Sequence, residues 1–598
     1  MNGFYGRILE VDLDARQFHI ETVADDILKT YLGGKGLGSY LLNEKNPVGV
    51  DPLDGRNALI FAGGPATGSA IWGGCRYSVF TKSPLTGLYS ESYSGGRVPE
   101  AIDAAGFDAV VIRGKSDLPL VLSVYPDGAI FHDSPDLWGK ETYETEDIVS
   151  ERFGPAAGNF KKRGVVVIGP AGENLVRFAI IANDRWRCAG RTGVGTVMGS
   201  KKLKAVLFQG DRKRTVFDES ALRAFNRAIA EEGKDHPGVK AYKALGTPMM
   251  VKLLNQAGAF PTRYWQQGRY EKWEQIGADA LHSRCDVQPH ACPKCFMACG
   301  RLTTIREGRH AGLRIEGPEY ETIYAFGGLC LIDSIEEIAH LNDLCDRLGM
   351  DTITGGNVCA FTIEAARRGR ISSPIDYGNV DAIADLLEKI ACRKGIGAVL
   401  AEGIRFAAKE WGLEEMAVHV KGMEPAGYDP RVLKGMGLGY AVSDRGACHL
   451  RATFYKPELS GMIKPDLIEG KAEMFVDFED RLTLFDTLVL CRFYRDLYTW
   501  ERLGEMIHAV TGLPSGKQDL RAIAAAVSTL IRRFNIREGL VRNDDRLSPA
   551  LHRALEDSGK NITEDELAYM IREYYRFRGW DDQGIPPVET TRVLKHEK

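Results

Sequence analysis

The chain has 598 residues, of which 44% are apolar and 26% charged, and a net charge of −4. This is the profile of a globular protein of about two to four domains. It excludes a broad basic field, so no nucleic-acid partner is expected. No apolar run reaches the roughly 18 residues needed to span a bilayer. The opening MNGFYGRILEVDLDARQFHIE lacks the basic and apolar regions of a signal peptide, which points to the cytoplasm.

That opening reads instead as two strands joined by a turn at Asp12–Arg16. Residues 1–209 are rich in glycine and β-branched residues. VVIRG, VVVIG and AVLFQG read as strands, with turns such as YPDG between them. The polar stretch DRKRTVFDES (211–220) marks a boundary and ends in a helix start. Beyond it the texture is helical. Ser334 can cap a helix with Glu337 three residues on. Ile335, Ile338, Leu341, Leu344 and Leu348 then follow at helical spacing, and Gly349 stops the run. Thr563 and Glu566 open a second such helix, ELAYMIREYYRF. The predicted fold class is α+β, with an N-terminal β-rich domain followed by one or two mostly helical domains.

The segment ACPKCFMACGR (291–301) places Cys292, Cys295 and Cys299 at C-x2-C-x3-C spacing. Such thiols grip one metal centre, but tetrahedral zinc and cubane iron–sulfur clusters take four ligands. Two readings stay open. Zinc could complete its shell with the nearby Cys285 or His290. A [4Fe–4S] cluster could recruit a distant cysteine that spacing alone cannot choose. The remaining cysteines, Cys75 among them, read mostly as small buried hydrophobes.

Three glycine-rich stretches, LGGKGLGSY (32–40), SYSGGR (92–97) and RCAGRTGVGTVMGSKKLKA (187–205), read singly as tight turns. Together with Arg76, Arg97, Arg187 and Arg191 they could cradle a large anionic cofactor. Glycine lets backbone N–H groups approach an anion, and arginine adds bidentate charge. DRLGMD (346–351) sets Asp346 at a helix C-terminus, where the macrodipole disfavours it. That suits a ligand acceptor or a solvated acid. DTLVLC (486–491) has the same outline. EGPEYET (316–322) and SDRGACHLR (443–451) offer carboxylates and an imidazole for acid–base work, although His449 taken alone reads as a structural histidine.

In order along the chain, YGRILEVDL, YLGGKGLGSYLL, GGCRYSVFTKSPLTG, IGPAGENLVRFA, GRTGVGTVMGSKKLKA, EGPEYET, YDPR (428–431), RGACH and YYRFRGW (574–580) resemble the tungsten-dependent aldehyde:ferredoxin oxidoreductases nearly end to end. The resemblance implies a β-sandwich-like pterin-binding base over 1–209. It implies two mostly α-helical domains, 210–418 with C-x2-C-x3-C and D-x-x-G-x-D, and 419–598 with the active-site histidine and the fourth cluster cysteine. The implied cofactors are a tungsten bis-pterin (tungstopterin) and a [4Fe–4S] cluster on Cys292, Cys295, Cys299 and Cys491. In the D-x-x-G-L-C motif that Cys491 ends, Val489 stands for the family glycine. Asp346, Met350, Asp351, Asp486 and Arg492 would face the pterins, and Arg76 would lie between pterin and cluster. Gly95, Arg187, Ala189, Gly190 and Arg191 would form the phosphate side. Tyr93 stands where the family has an asparagine linked to a phosphate-bridging Mg2+; that ion survives here if its contact is through the backbone.

By the same resemblance, Glu321 and His449 sit beside the metal. His449 donates to the aldehyde oxygen, and Glu321 takes a proton as water oxygen adds to the carbonyl carbon. The implied reaction is aldehyde to carboxylic acid, reversible in principle, with electrons leaving through the cluster. Partners would be ferredoxin, or ferredoxin-like and flavin electron-transfer subunits. His340 and Asp343 occupy the positions of the family's E-x-x-H iron ligands, so an oligomer without that inter-subunit iron is expected. Within the same fold the alternative is the tungsten subunit of a benzoyl-CoA reductase-type complex. From another class, it is a non-catalytic iron–sulfur or zinc scaffold.

Overall fold

The computed structural model describes residues 1–154 and 160–587. Its first part holds two six-stranded sheets. One contains β1 (Arg7–Asp12), β2 (Gln17–Thr22), β3 (Leu59–Ala62), β4 (Tyr77–Lys82), β5 (Tyr89–Ser94) and β6 (Ala109–Arg113), ordered β2-β1-β6-β3-β4-β5. The other contains β7 (Leu120–Tyr125), β8 (Gly128–Asp133), β9 (Lys162–Val167), β10 (Ile181–Asn183), β11 (Arg187–Ala189) and β12 (Leu203–Gly210), ordered β11-β10-β9-β12-β7-β8. Each is antiparallel apart from one parallel pair, β1 with β6 and β7 with β12. VVIRG, VVVIG and AVLFQG lie on β6, β9 and β12, and the two expected turns join β1 to β2 and β7 to β8.

Period-two alternation gives each strand two destinations. In β3, Leu59 and Phe61 point between the sheets, where Phe61 meets Phe208 of β12 edge-on at 5.4 Å. Ile60 and Ala62 point the other way. They join a core built from helices Gly34–Lys45, Lys471–Leu488, Trp500–Thr511 and Lys517–Arg537. Helices from the far end of the chain therefore pack directly on the first sheet. The fold is α+β, a two-sheet base followed by mostly helical parts. Among the described residues, no helix is long and apolar enough to cross a membrane.

Both expected capped helices form. Ser334 accepts the Glu337 N–H at the start of Ile335–Leu348, and Gly349 closes it at φ +80°. Thr563 and Glu566 form a reciprocal capping box on Glu564–Arg578.

LGGKGLGSY differs from its reading as a turn, since most of it lies in the helix Gly34–Lys45. Its glycines serve close packing rather than chain reversal. A Cβ on Gly34 would overlap the Asp486 carbonyl oxygen and the Val489 side chain, and one on Gly38 would overlap the Phe80 ring. This contact seats the base against the end of helix Lys471–Leu488. Gly34 also sits at φ +44°. Gly34→Ala is expected to destabilise the fold by about 2–4 kcal/mol through overlap and backbone strain. Thermal unfolding checks this, and an unchanged melting temperature would show that the contact yields cheaply.

The cysteine triplet occupies the loop between β13 (Cys285–His290) and β14 (Gly300–Ile305), which pairs in turn with β15 (Arg314–Glu316). Cys285 lies at the far end of β13, about 16 Å of extended strand from His290 at roughly 3.3 Å per residue. His290 faces Glu316.

Candidate active site and metal centre

Cys491 begins the chain segment just beyond helix Lys471–Leu488. Its N–H donates to the Gly73 carbonyl at 2.9 Å, which holds it against the loop leading to Arg76. Arg76 Nη1 lies 4.0 Å from Cys491 Sγ, and its Nη2 donates to the Tyr93 carbonyl at 3.4 Å. A Cβ on Gly95 would stand 3.1 Å from Cys292 Sγ, so that glycine lets the sheet edge meet the thiol loop. Tyr494 donates to Cys295 Sγ at 3.4 Å. Burial raises the Cys299 thiol, and the nearby Glu319, Cys491 and Cys295 raise it further. Arg187 lies beside Cys292 and Cys299 and pairs with Glu316. The four nominated thiols thus converge from two distant segments, with Arg76 and Arg187 supplying the positive charge that thiolates need.

The spread of these sulfurs bears on which metal they suit. Zinc at 2.3 Å from each sulfur would set them about 3.8 Å apart. Among the described residues, no three cysteine sulfurs lie within 4.8 Å of one another. With Cys285 at the far end of its strand, the zinc reading loses its candidate fourth thiol. The donor set fits a larger, multi-iron centre. A fifth thiol, read from sequence as a plain hydrophobe, lies among them. Cys75 lies against Cys292 and Cys295, which lowers both of those thiols while its own is raised.

Beside the thiols lies a buried ionic network. Lys35 Nζ donates to Glu91 at 3.1 Å and to Asp444 at 2.9 Å. Arg451 pairs with Glu91 and Asp486, and Arg492 pairs with Asp486 while covering the Tyr93 ring at 5.5 Å. Tyr93 donates to Glu91 at 2.6 Å. Arg445 donates to the Glu91 carbonyl and to Cys448 Sγ. On the other side, Arg191 Nε meets Asp351 at 3.0 Å while its Nη atoms donate to the Ala447 and Glu424 carbonyls. Asp351 also caps helix Thr352–Arg367 through both carboxylate oxygens. Asp346 has a different environment. Burial raises its carboxyl well above the usual range, and Asn342 donates to it at 2.7 Å. Met350 contributes backbone, bridging to Ala179, and Ala189 pairs with Ile181 just before Gly190. Val489 ends helix Lys471–Leu488 at φ +59°, the left-handed geometry that favours the glycine it replaces.

Several of these buried groups lack directed partners. Beyond its ion pairs with Glu91 and Asp486, Arg451 makes no directed hydrogen bond from its three guanidinium nitrogens, nor do Arg445 Nε and Arg492 Nε make one. Buried polar atoms are almost always satisfied, so such a cluster is a set of donors aimed at something anionic. The residues therefore fit a large anionic cofactor. Lys35, Glu91, Arg445 and Arg451 were not singled out from sequence. Their only signal was a charge standing inside or beside a glycine-rich stretch already noted.

Glu321 sits on the helical turn Tyr320–Thr322, which runs into a π-helical segment, Ile323–Gly328; such segments often accompany functional sites. Its Oε2 accepts the Gly427 N–H at 3.0 Å, and its Oε1 faces His449 Nε2 at 3.5 Å. Neither Glu321 Oε1 nor His449 Nδ1 has a hydrogen-bond partner. Burial raises Glu321 to about 7, against the lowering effects of Gly427 and Arg191. Burial, reinforced by Arg191, Arg445, Arg492 and Arg495, holds His449 well below its usual range. At neutral pH the imidazole is therefore neutral, with one N–H to give, and the carboxyl is poised between its two states. Tyr428 stacks on His449 at 5.6 Å and on Tyr455 at 4.1 Å, forming an aromatic wall. His449, structural on local grounds, here faces a carboxylate.

A base on this carboxyl works only when ionised. The acid limb of kcat/KM is accordingly expected near pH 7, with activity rising as pH rises through it. A pH profile from about 5 to 9 measures this; a limb near the ordinary glutamate value of about 4.3 would mean that burial does not tune the group.

A cluster of thiols thus lies beside buried cationic donors and an acid–imidazole pair. Residues 8–210 match the family model described as aldehyde ferredoxin oxidoreductase, N-terminal domain, and residues 224–595 match that for domains 2 and 3. The chain is 34% identical to the tungsten-containing aldehyde ferredoxin oxidoreductase of Pyrococcus furiosus, over 99% of each chain. It is equally identical to that of Thermococcus kodakarensis over the same shares. The aliphatic sulfonate oxidoreductase, WOR-like subunit, of P. furiosus is 29% identical over 99% of this chain and 97% of its own. Among solved structures, the active site complex BamBC of benzoyl coenzyme A reductase matches with a TM-score of 0.82 at 24% identity, over 98% of this chain and 96% of that one, which is a likeness of fold. The chain belongs to the aldehyde ferredoxin oxidoreductase family, and its P. furiosus and T. kodakarensis relatives at 34% identity are tungsten-containing.

Proposed function

We propose that this chain oxidises an aldehyde to a carboxylic acid and passes the electrons through an iron–sulfur cluster to a ferredoxin, or to ferredoxin-like and flavin partner subunits. The observation that carries this reading is the Glu321–His449 pair. Both side chains are mostly covered, His449 14% and Glu321 18% exposed, each has an unpartnered buried polar atom, and they face each other at 3.5 Å.

The overall change is RCHO + H2O → RCOO− + 3 H+ + 2 e−. A tungsten bis-pterin, when bound, supplies the two-electron redox chemistry that no side chain can. Asp346, Asp486, Arg76, Arg191, Arg445, Arg451 and Arg492 would hold it, with Gly95 and the Arg187–Arg191 stretch on the phosphate side. Tyr93 gives no side-chain ligand there, because its hydroxyl is bound to Glu91. A phosphate-bridging Mg2+ would have to draw on backbone carbonyls.

The remaining steps belong to this chain's residues. His449, neutral, donates its N–H to the aldehyde oxygen and stabilises the charge that grows there as the carbonyl carbon becomes tetrahedral. Glu321 Oε1 accepts the proton released as oxygen adds. Gly427 N–H fixes the other carboxylate oxygen, so the accepting one points at the substrate. Tyr428 and Tyr455 hold the apolar part of the aldehyde against the pair and help exclude water. Cys292, Cys295, Cys299 and Cys491 would ligate the [4Fe–4S] cluster that receives the electrons one at a time.

Metal content combined with an anaerobic aldehyde panel, using a viologen dye as acceptor and benzoyl-CoA as competing substrate, tests the reading. The expected result is tungsten or molybdenum, about four irons per chain, and aldehyde-dependent dye reduction. Zinc without tungsten, or turnover of benzoyl-CoA and of no aldehyde, would overturn it.

A further inference from the structure

Electrons that reach the cluster must leave through the nearest protein surface. The loop Ala291–Lys294 is that surface on the cysteine side. Ala291 and Lys294 are exposed, and Cys292 and Pro293 are half-buried. Two basic clefts meet at this loop, beside a third that Ala291, Cys292 and Pro293 line and that sets Arg97, Arg185 and Arg187 against Glu146, Asp147, Asp184 and Glu316. One, of about 440 Å³, runs from Lys294 across Gly68–Ala70 to helix Glu219–Asp235. The other, of about 460 Å³, runs from Pro293 along Arg97 and the start of β9. Their walls carry nine arginines and lysines against four aspartates and glutamates, on a chain whose net charge is −4. The carboxylates are largely engaged from within. Glu100 pairs with Lys162 and Lys294, and the buried Asp103 pairs with Arg214. Arg97, Lys161, Lys213 and Arg223 stand exposed around them.

We propose that this basic face is the docking surface for a small acidic electron-carrier protein of the iron–sulfur type. The carrier takes one electron at a time across the Cys292–Lys294 loop, leaving the cluster oxidised by one electron and itself reduced by one; two such encounters complete each aldehyde turnover. The inference rests on the electron path given under Proposed function and adds to it a place and a partner chemistry. A positive face on a negative chain steers an acidic partner to one orientation, and its effect falls with ionic strength. A small anion fits the geometry less well. It needs convergent donors in one pocket, whereas here the charges are spread along two open clefts and several chain segments.

The test uses the holoenzyme with two acceptors, an acidic bacterial [4Fe–4S] ferredoxin and benzyl viologen. Lys161→Glu/Lys162→Glu and Lys213→Glu/Arg223→Glu are compared with the unaltered chain. Each double variant is expected to lower kcat/KM for ferredoxin about tenfold or more, mainly through KM, with viologen reduction within about twofold. The unaltered chain should lose ferredoxin activity steeply between about 0.05 and 0.5 M salt, and the variants should show a flatter dependence. Ferredoxin kinetics unchanged in both variants would overturn the proposal. So would equal losses with both acceptors, or saturable protection of the face by inorganic phosphate alone. A binding titration with oxidised ferredoxin needs no turnover. It reads the face even in a chain inactive on aldehydes, so failure of the docking proposal and failure of the aldehyde reading are separable.

Discussion

Replacing Glu321 with glutamine is expected to lower kcat/KM for aldehyde oxidation by about 10²–10⁴-fold, the range that a positioned general base contributes. The swap is nearly isosteric. A glutamine oxygen can still accept the Gly427 N–H that Oε2 accepts at 3.0 Å, so the turn Tyr320–Thr322 should keep its place. What disappears is a group that can take a proton at Oε1, the atom facing His449. The loss should fall mainly on kcat. The acid limb near pH 7 should vanish with it, since the group responsible is gone. Tungsten and iron contents should be unchanged. Stopped-flow aldehyde oxidation by metal-loaded protein measures the effect, and a variant with undiminished kcat and the same acid limb would remove Glu321 from the role of base.

Cys491→Ala should have the second large effect. This cysteine lies far along the chain from the others, yet its N–H is tied to Gly73 and its sulfur faces Arg76. Removing one of four thiolates should leave an incomplete or absent cluster. The expected result is a fall from about four irons per chain to about three or fewer, with loss of the reduced [4Fe–4S] electron-paramagnetic signal. Viologen reduction should drop by more than about tenfold even where tungsten is retained. Cys75→Ala serves as the control, because Cys75 touches Cys292 and Cys295 and is the thiol able to substitute. If Cys491→Ala keeps a full cluster while Cys75→Ala loses it, the fourth ligand is Cys75.

Much of the fold was legible from local chemistry. The strands of the base announced themselves by β-branched runs between turn residues, and VVIRG and AVLFQG lie on β6 and β12. The Ser334 and Thr563 caps were legible because a cap is a contact between residues three apart. LGGKGLGSY was misread for the converse reason. Glycine raises the prior for a turn, but here Gly34 and Gly38 are needed by Asp486 and Phe80, neither of which is near in sequence. The buried network of Lys35, Glu91, Arg445 and Arg451 was missed on the same account. Each residue alone resembles a solvated surface charge, and only packing between base and helices brings them together out of water.

The sequence by itself determined the candidate metal-binding thiols, C-x2-C-x3-C among them, the strands of the base, the two capped helices and the order of motifs that marks the family. Those are properties of short segments, set by residue type and spacing. The tertiary structure decided which distant groups meet. It set Cys285 at the far end of its strand from the thiol loop, drew Cys491 and Cys75 in, and turned His449 from a lone histidine into the partner of a raised carboxyl. The physical reason is that convergence and burial depend on how sheets and helices pack, and a pKa, an unsatisfied donor or a shared cluster exists only once they do.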